Sequence, residues 1–133
     1  MITEKEFQNK VLEYLFYKNV FCFPYNSIGV FDKKNNSFRR SNNKFHINGV
    51  SDILGIYCGR MLAIELKRPK FSKRLGKYIS REDDELCKMA SFEQIDFLNK
   101  VRKHGGCGIL ADSWERIEKE MSTFKHRIQE KYE

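Results

Sequence analysis

The apolar positions of the chain fall into segments whose period switches from helical to alternating and back. After Thr3, the residues Phe7, Val11, Leu12, Leu15 and Phe16 recur at helical spacing. Glu6 stands three positions beyond Thr3, as in a capping box, so a helix is predicted over 4–18. The run VFCFPY at 20–25 is short and β-rich, and Pro24 confines it to a sheet edge or a bulge. Residues 26–49 are polar and predict a long loop, pinched into a hairpin at Asn35-Asn36; loops of that length usually carry function or are disordered. Two apolar runs, 53–58 and 61–66, then predict a strand pair closed at Gly59-Arg60 by a two-residue type II′ turn. Residues 68–89 read as a loop plus a short helix. Ser91 opens a helix to Lys103 with Phe92, Ile95, Leu98 and Val101 inward and Gly105-Gly106 as its stop. The strand CGILA follows, and Ser113 caps a final amphipathic helix that packs Trp114, Ile117, Met121, Phe124 and Ile128. This order predicts an α/β domain, helices on a mixed central sheet, with the hairpin near its middle.

Length and composition narrow the class. A chain of 133 residues suits one domain over 1–133, large enough for a core without disulfides or structural metal. With 41% hydrophobic and 32% charged residues it reads as globular, and no apolar run approaches the roughly 18 residues of a membrane span. No apolar stretch behind MITEKEFQNK marks it for export, so a cytoplasmic location is expected, with no membrane partner and no small-molecule substrate. Cys22, Cys58, Cys87 and Cys107 form no CxxC pair and are expected as buried thiols. The three histidines are scattered and receive no role.

The charge is uneven. A net +7 favours an anionic partner, and it is concentrated in two acid-free blocks, five basic residues within 33–51 and seven within 67–81. These blocks interleave Phe38, Phe45, Phe71 and Tyr78, a mixture suited to phosphate contact with base or sugar packing, although solvated loops can look the same. Arg39, Arg40, Lys44, Arg68, Lys70, Lys73, Arg74 and Lys77 are the candidate nucleic-acid contacts. Asn26 and Ser27, at the end of the first strand, are weaker polar candidates.

Between the blocks, the greasy hairpin carries Asp52, Glu65 and Lys67, charges that are costly to bury without a partner, a metal or water. With a turn at Gly59-Arg60, Asp52 opposes Lys67 and Leu54 opposes Glu65, and period-two alternation places all three charges on one face. Two carboxylates at that separation, with the Leu66 carbonyl beside them, suit Mg²⁺ or Mn²⁺ rather than zinc. Such an ion stabilises charge on a phosphoryl oxygen and acidifies a bound water, and the neighbouring lysine orients that water. The constellation fits phosphodiester hydrolysis.

Asp52, twelve residues, then Glu65-Leu66-Lys67 resembles the PD-(D/E)XK nuclease motif. The segments GVSDILGI, AIELKRP, SFEQIDFLNKVRKHGG and ILADS, in that order over most of the chain, resemble the VRR-NUC nuclease family. The resemblance implies a restriction-endonuclease-like αβββαβ core. It implies metal binding by Asp52, Glu65 and the Leu66 carbonyl, a water-directing Lys67, and support from Gln94. It also implies an acidic ligand on the first helix, for which Glu4, followed by Phe7 and Gln8, ranks above Glu6 and Glu13. Each has a plainer reading: Gln94 completes a capping box with Ser91, and Glu4 is a favourable first-turn charge. Ser51 stands where the family has proline, and 68–90 is longer than usual. The resemblance further implies a homodimer acting on branched DNA, such as Holliday junctions or flaps, in repair and recombination. An inactive binding module of the same fold, and a nuclease for unbranched DNA or RNA, are the alternatives.

Overall fold

The first helix forms where the spacing places it. The computed structural model describes residues 1–25, 30–32, 37–39 and 44–131, with 30–32 and 37–39 as backbone only. Helix α1 (Glu4–Tyr17) starts with the expected capping box, the Thr3 hydroxyl accepting from the Glu6 N–H at 3.1 Å and the Glu6 carboxylate from the Thr3 N–H at 2.9 Å. Phe7, Val11 and Leu15 are buried, but Phe16 is 76% exposed, contrary to expectation. The inward stripe repeats every four residues, and position 16 lies about 100° round the helix from position 15.

Strand β1 (Phe21–Pro24) follows, then a small hairpin of β2 (Val30–Asp32) and β3 (Ser37–Arg39). The pinch expected at Asn35-Asn36 lies outside the described residues, as do Asn26 and Ser27. Next come β4 (Ile53–Tyr57) and β5 (Arg60–Leu66), a second small hairpin of β6 (Lys70–Ser72) and β7 (Lys77–Ile79), α2 (Asp83–Met89), α3 (Phe92–Lys103), β8 (Cys107–Ala111) and α4 (Trp114–Glu130). The main sheet has the order β1-β4-β5-β8, antiparallel except for the parallel β5–β8 pair, so the fold is mixed α/β with a mixed sheet and the central hairpin sits in its middle. The β6–β7 hairpin replaces what the sequence suggested as loop.

The central hairpin turns one residue earlier than expected. Tyr57 pairs with Arg60, so the turn is Cys58-Gly59, and both residues have positive φ (54° and 71°), the signature of type I′ rather than II′. Ile53 therefore faces Ile64 and Leu54 faces Ala63, not Glu65; Asp52, one step before Ile53, stands at the level of Glu65 rather than Lys67. Moving the turn by one residue shifts the pairing by two, which preserves every face.

Each face of the sheet has its own helices. Leu62, Ile64 and Leu66 pack with Phe7, Val11 and Leu15 of α1 and with Ile117 and Met121 of α4. On the other face Ala63 packs with Phe97, Leu98 and Val101 of α3. Phe92, expected inward, is 84% exposed because the inner stripe of α3 is set by Phe97, Leu98 and Val101. Helix α2 lies beside the outer strand β8 and buries Leu86. Only Cys107 is a buried thiol, pushed up by burial to about 12; Cys22 is half-buried, and Cys58 at the turn and Cys87 on the short α2 are exposed, against expectation. No helix among the described residues is long and apolar enough to cross a membrane.

Candidate active site

Alternation along β5 decides which side chains meet. Leu66 enters the core against α1 and α4, so Glu65 and Lys67 emerge on the face that carries α3. The ladder continues past Leu66, because the Lys67 N–H donates to the Ala111 carbonyl of β8 at 2.9 Å. This fixes the backbone of both charged residues. Asp52 approaches from the start of β4, and its Oδ2 accepts the Leu66 N–H at 2.8 Å. A strand residue presents its N–H and C=O to the same side, so the Leu66 carbonyl is also directed toward the Asp52 edge.

Gln94 closes the group from α3. Its Nε2 donates to Glu65 Oε1 at 2.7 Å, while its Oε1 accepts from Lys67 Nζ at 3.1 Å and from the Ser91 N–H at 2.9 Å. One side chain therefore completes the capping box and bridges Glu65 and Lys67. Gly49 makes it possible: at φ 76°, a Cβ there would collide with the Glu93 and Gln94 backbone, so only glycine lets the start of α3 come this close. Gly49 belongs to the GVSD segment but carried no signal of its own.

The electrostatics are one-sided. Glu65 is 2% exposed; burial first, and then the Asp52 charge, push its carboxyl from the ordinary 4.5 up to about 8, against the pull of Lys67, whose Nζ lies 3.5 Å from Oε1. Burial raises Asp52 as well, partly offset by the Leu66 N–H and Lys67. Glu4 is more exposed, yet burial and the Asp52 charge raise it and Lys67 lowers it, so it belongs to the same field. Glu6 is occupied in its capping box.

Glu65 Oε2 is buried without a hydrogen-bond partner. An acceptor left bare beside a second carboxylate and a backbone carbonyl is the donor chemistry of a hard divalent cation. Among the described residues, however, no three or more His, Cys, Asp or Glu side chains are drawn together to hold a metal ion, so Glu4, Asp52 and Glu65 do not form a close triad.

The basic candidates are distributed around this centre. Arg68 follows Lys67 directly, and Lys73, Arg74 and Lys77 are exposed on the β6–β7 hairpin. Lys70 is engaged with Glu85 at 3.4 Å, and the Lys44 ammonium lies 5.2 Å from the centre of the Phe45 ring. Arg40 and the side chain of Arg39 lie outside the described residues. The pattern gave no warning of a second polar cluster at the end of β8. There Asp112, 1% exposed, accepts from the Arg81 N–H at 3.1 Å and its guanidinium at 3.0 Å. Arg116 donates to the Arg81 carbonyl and pairs with Asp83, and Ser80 meets Ser113. This cluster fastens the 68–90 excursion to the core. Compared with protein-family models, with curated proteins and with solved structures, the chain matches none of them.

Proposed function

We propose that the chain is a metal-dependent endonuclease that hydrolyses DNA phosphodiester bonds, with a restriction-endonuclease-like αβββαβ core, as in the VRR-NUC family it resembles. The observation that supports this reading best is the buried Glu65, with one oxygen held by Gln94 and Lys67 and the other bare, facing Asp52 at the rim of the sheet. Asp52, Glu65 and the Leu66 carbonyl would hold Mg²⁺ or Mn²⁺, with Glu4 nearby. When bound, such an ion stabilises phosphoryl charge and lowers the pKa of its water. The chain's own groups do the rest. Gln94 fixes Glu65 and Lys67 relative to each other, and the Lys67 ammonium directs the attacking water. Exposed cations on the β6–β7 hairpin attract the phosphate backbone. Branched DNA as substrate and a homodimer as the working form are parts of the same proposal.

A second reading, a nucleic-acid-binding module without cleavage, draws on the lack of a close acidic triad among the described residues and on the Lys67–Glu65 pair, which partly neutralises the pocket. The two are separated by incubating the protein with four-way, flapped and linear DNA and with RNA, in Mg²⁺ or chelator, beside Glu65→Gln. Cutting of branched DNA only with Mg²⁺, reduced about 100-fold or more by the substitution, is expected. Binding without cutting overturns the nuclease, and equal cutting of linear DNA or RNA overturns the branched substrate.

A further inference from the structure

At the same rim of the sheet, on the opposite face, a cleft of about 440 Å³ opens between α1, the start of α4 and the β6–β7 hairpin. Ile2, Phe7, Pro69 and Tyr78 form its apolar lining, and the Ile2 N–H donates to the Tyr78 hydroxyl at 2.8 Å, which ties the chain start to the hairpin. Tyr14 and Trp114 stand in the wall as a stacked pair, ring centres 4.7 Å apart and planes 25° from parallel. Tyr14 is 47% exposed, so the pair is reached from solvent.

The charges around the cleft favour an anion. Asp112 also lines it, but its charge is paired through Oδ2 with the Arg81 guanidinium at 3.0 Å and its side chain is buried. That leaves the exposed Lys10 and Lys77 against the single acid Glu115. A planar apolar platform flanked by two ammonium groups matches a nucleotide, whose base stacks while its phosphates meet the lysines. The cleft is also close to the candidate centre along the chain. Pro69 is two residues beyond Lys67, about 7 Å of extended strand, and Ile2 is two residues before Glu4.

We infer that this cleft is a base-binding subsite for an unpaired nucleotide next to the cleaved phosphodiester, with Tyr14 and Trp114 as the stacking platform and Lys10 and Lys77 on the flanking phosphates. The inference rests on the nuclease reading and names the part of the substrate that reading leaves open: a single-stranded segment crossing from the α3 face over the end of β5. Phosphate contacts alone would accept any backbone, whereas the platform requires a base that has left its duplex.

Trp114 is the only tryptophan in the chain, so its fluorescence reports this cleft directly. The 133-residue chain carrying Glu65→Gln, in chelator, is titrated with an eight-nucleotide oligothymidylate and with the same strand carrying abasic spacers. The thymidylate should quench Trp114, and the abasic strand should bind about 10-fold more weakly with little quenching. Replacing Lys10 and Lys77 together by alanine, both being exposed, should reduce the log–log salt slope by about 1.4, at roughly 0.7 per phosphate on a single strand. Absent quenching, equal quenching by the abasic strand, or an unchanged slope overturns the subsite. Wild-type protein that cuts DNA with Mg²⁺ but shows no quenching loses the subsite alone; protein that is quenched yet never cuts keeps a base-binding cleft and loses the nuclease reading together with the cleaved bond beside it.

Discussion

Two buried carboxylates sit on neighbouring parallel strands at one rim of the sheet, Glu65 on β5 and Asp112 just past β8, and their surroundings differ in charge. Around Glu65, the carboxylates of Glu4, Asp52 and Glu65 itself face one ammonium, that of Lys67. Around Asp112, two carboxylates, its own and that of Asp83, face the guanidinium groups of Arg81 and Arg116. In the balanced cluster each carboxylate has its own guanidinium, Arg81 on Asp112 Oδ2 and Arg116 on Asp83, even though Asp112 Oδ1 is left without a hydrogen-bond partner, and the cluster serves attachment. The other is left with an excess of negative charge that only a proton or a cation can relieve. A buried acid with a partner of opposite charge holds a structure together, and one placed among its own kind must take up a proton or a cation.

Substitutions at the two positions should therefore move stability in opposite directions. Asp112→Ala strips Arg81 of its buried partner and is expected to cost about 3–5 kcal/mol, read from the urea midpoint. A loss below about 1 kcal/mol would erase the distinction between the clusters. Glu65→Gln should stabilise. With its carboxyl raised from 4.5 to about 8, folded Glu65 keeps a proton that the unfolded chain releases. The penalty is thus absent below pH 4.5, grows between 4.5 and 8, and is constant above. The amide removes it, a gain on the order of 4 kcal/mol at pH 8 and near zero at pH 4 in thermal unfolding, and Mg²⁺ should narrow the gap by stabilising the wild type alone. A gain independent of pH would place Glu65 among ordinary carboxyls.

The smallest effect sharpens the comparison at Gln94, which belongs to both a helix cap and the acidic group. Gln94→Ala should lose about 1–2 kcal/mol together with cleavage, since it removes three hydrogen bonds. Gln94→Glu keeps an acceptor for the Ser91 N–H but turns a carboxylate toward Glu65, so it should remain within about 1 kcal/mol of wild type while cleavage falls. Equal losses of stability in the two variants would separate the cap from the site.

How much of this could be read from the residues depended on range. The convergence of Asp52, Glu65 and Lys67 was legible because faces alternate with period two and survive a one-residue error in the turn. The turn itself was not, since Gly59 suits the first position of type II′ as well as the second position of type I′, and the outcome rests on Cys58 accepting φ 54°. The strands Lys70–Ser72 and Lys77–Ile79 are three residues each, too short for a period to register. Arg81 and Asp112 lie 31 positions apart, and no local pattern joins residues at that separation. Gln94 was legible as the cap of α3, but that the same amide also reaches Glu65 and Lys67 needed coordinates.

The parallel pairing of β5 with β8 requires a long crossover, and residues 68–90 hang from it as an excursion secured by Asp112, Arg81 and Arg116 rather than by the ladder. Lengthening or exchanging the tip at 73–76 would leave the four-stranded frame and the acidic group where they are, because surface loops tolerate added length at small entropic cost. The excursion is an exchangeable headpiece on a fixed frame, and under the proposed nuclease function a swapped tip changes which nucleic-acid shape is met while the acidic group stays as it is.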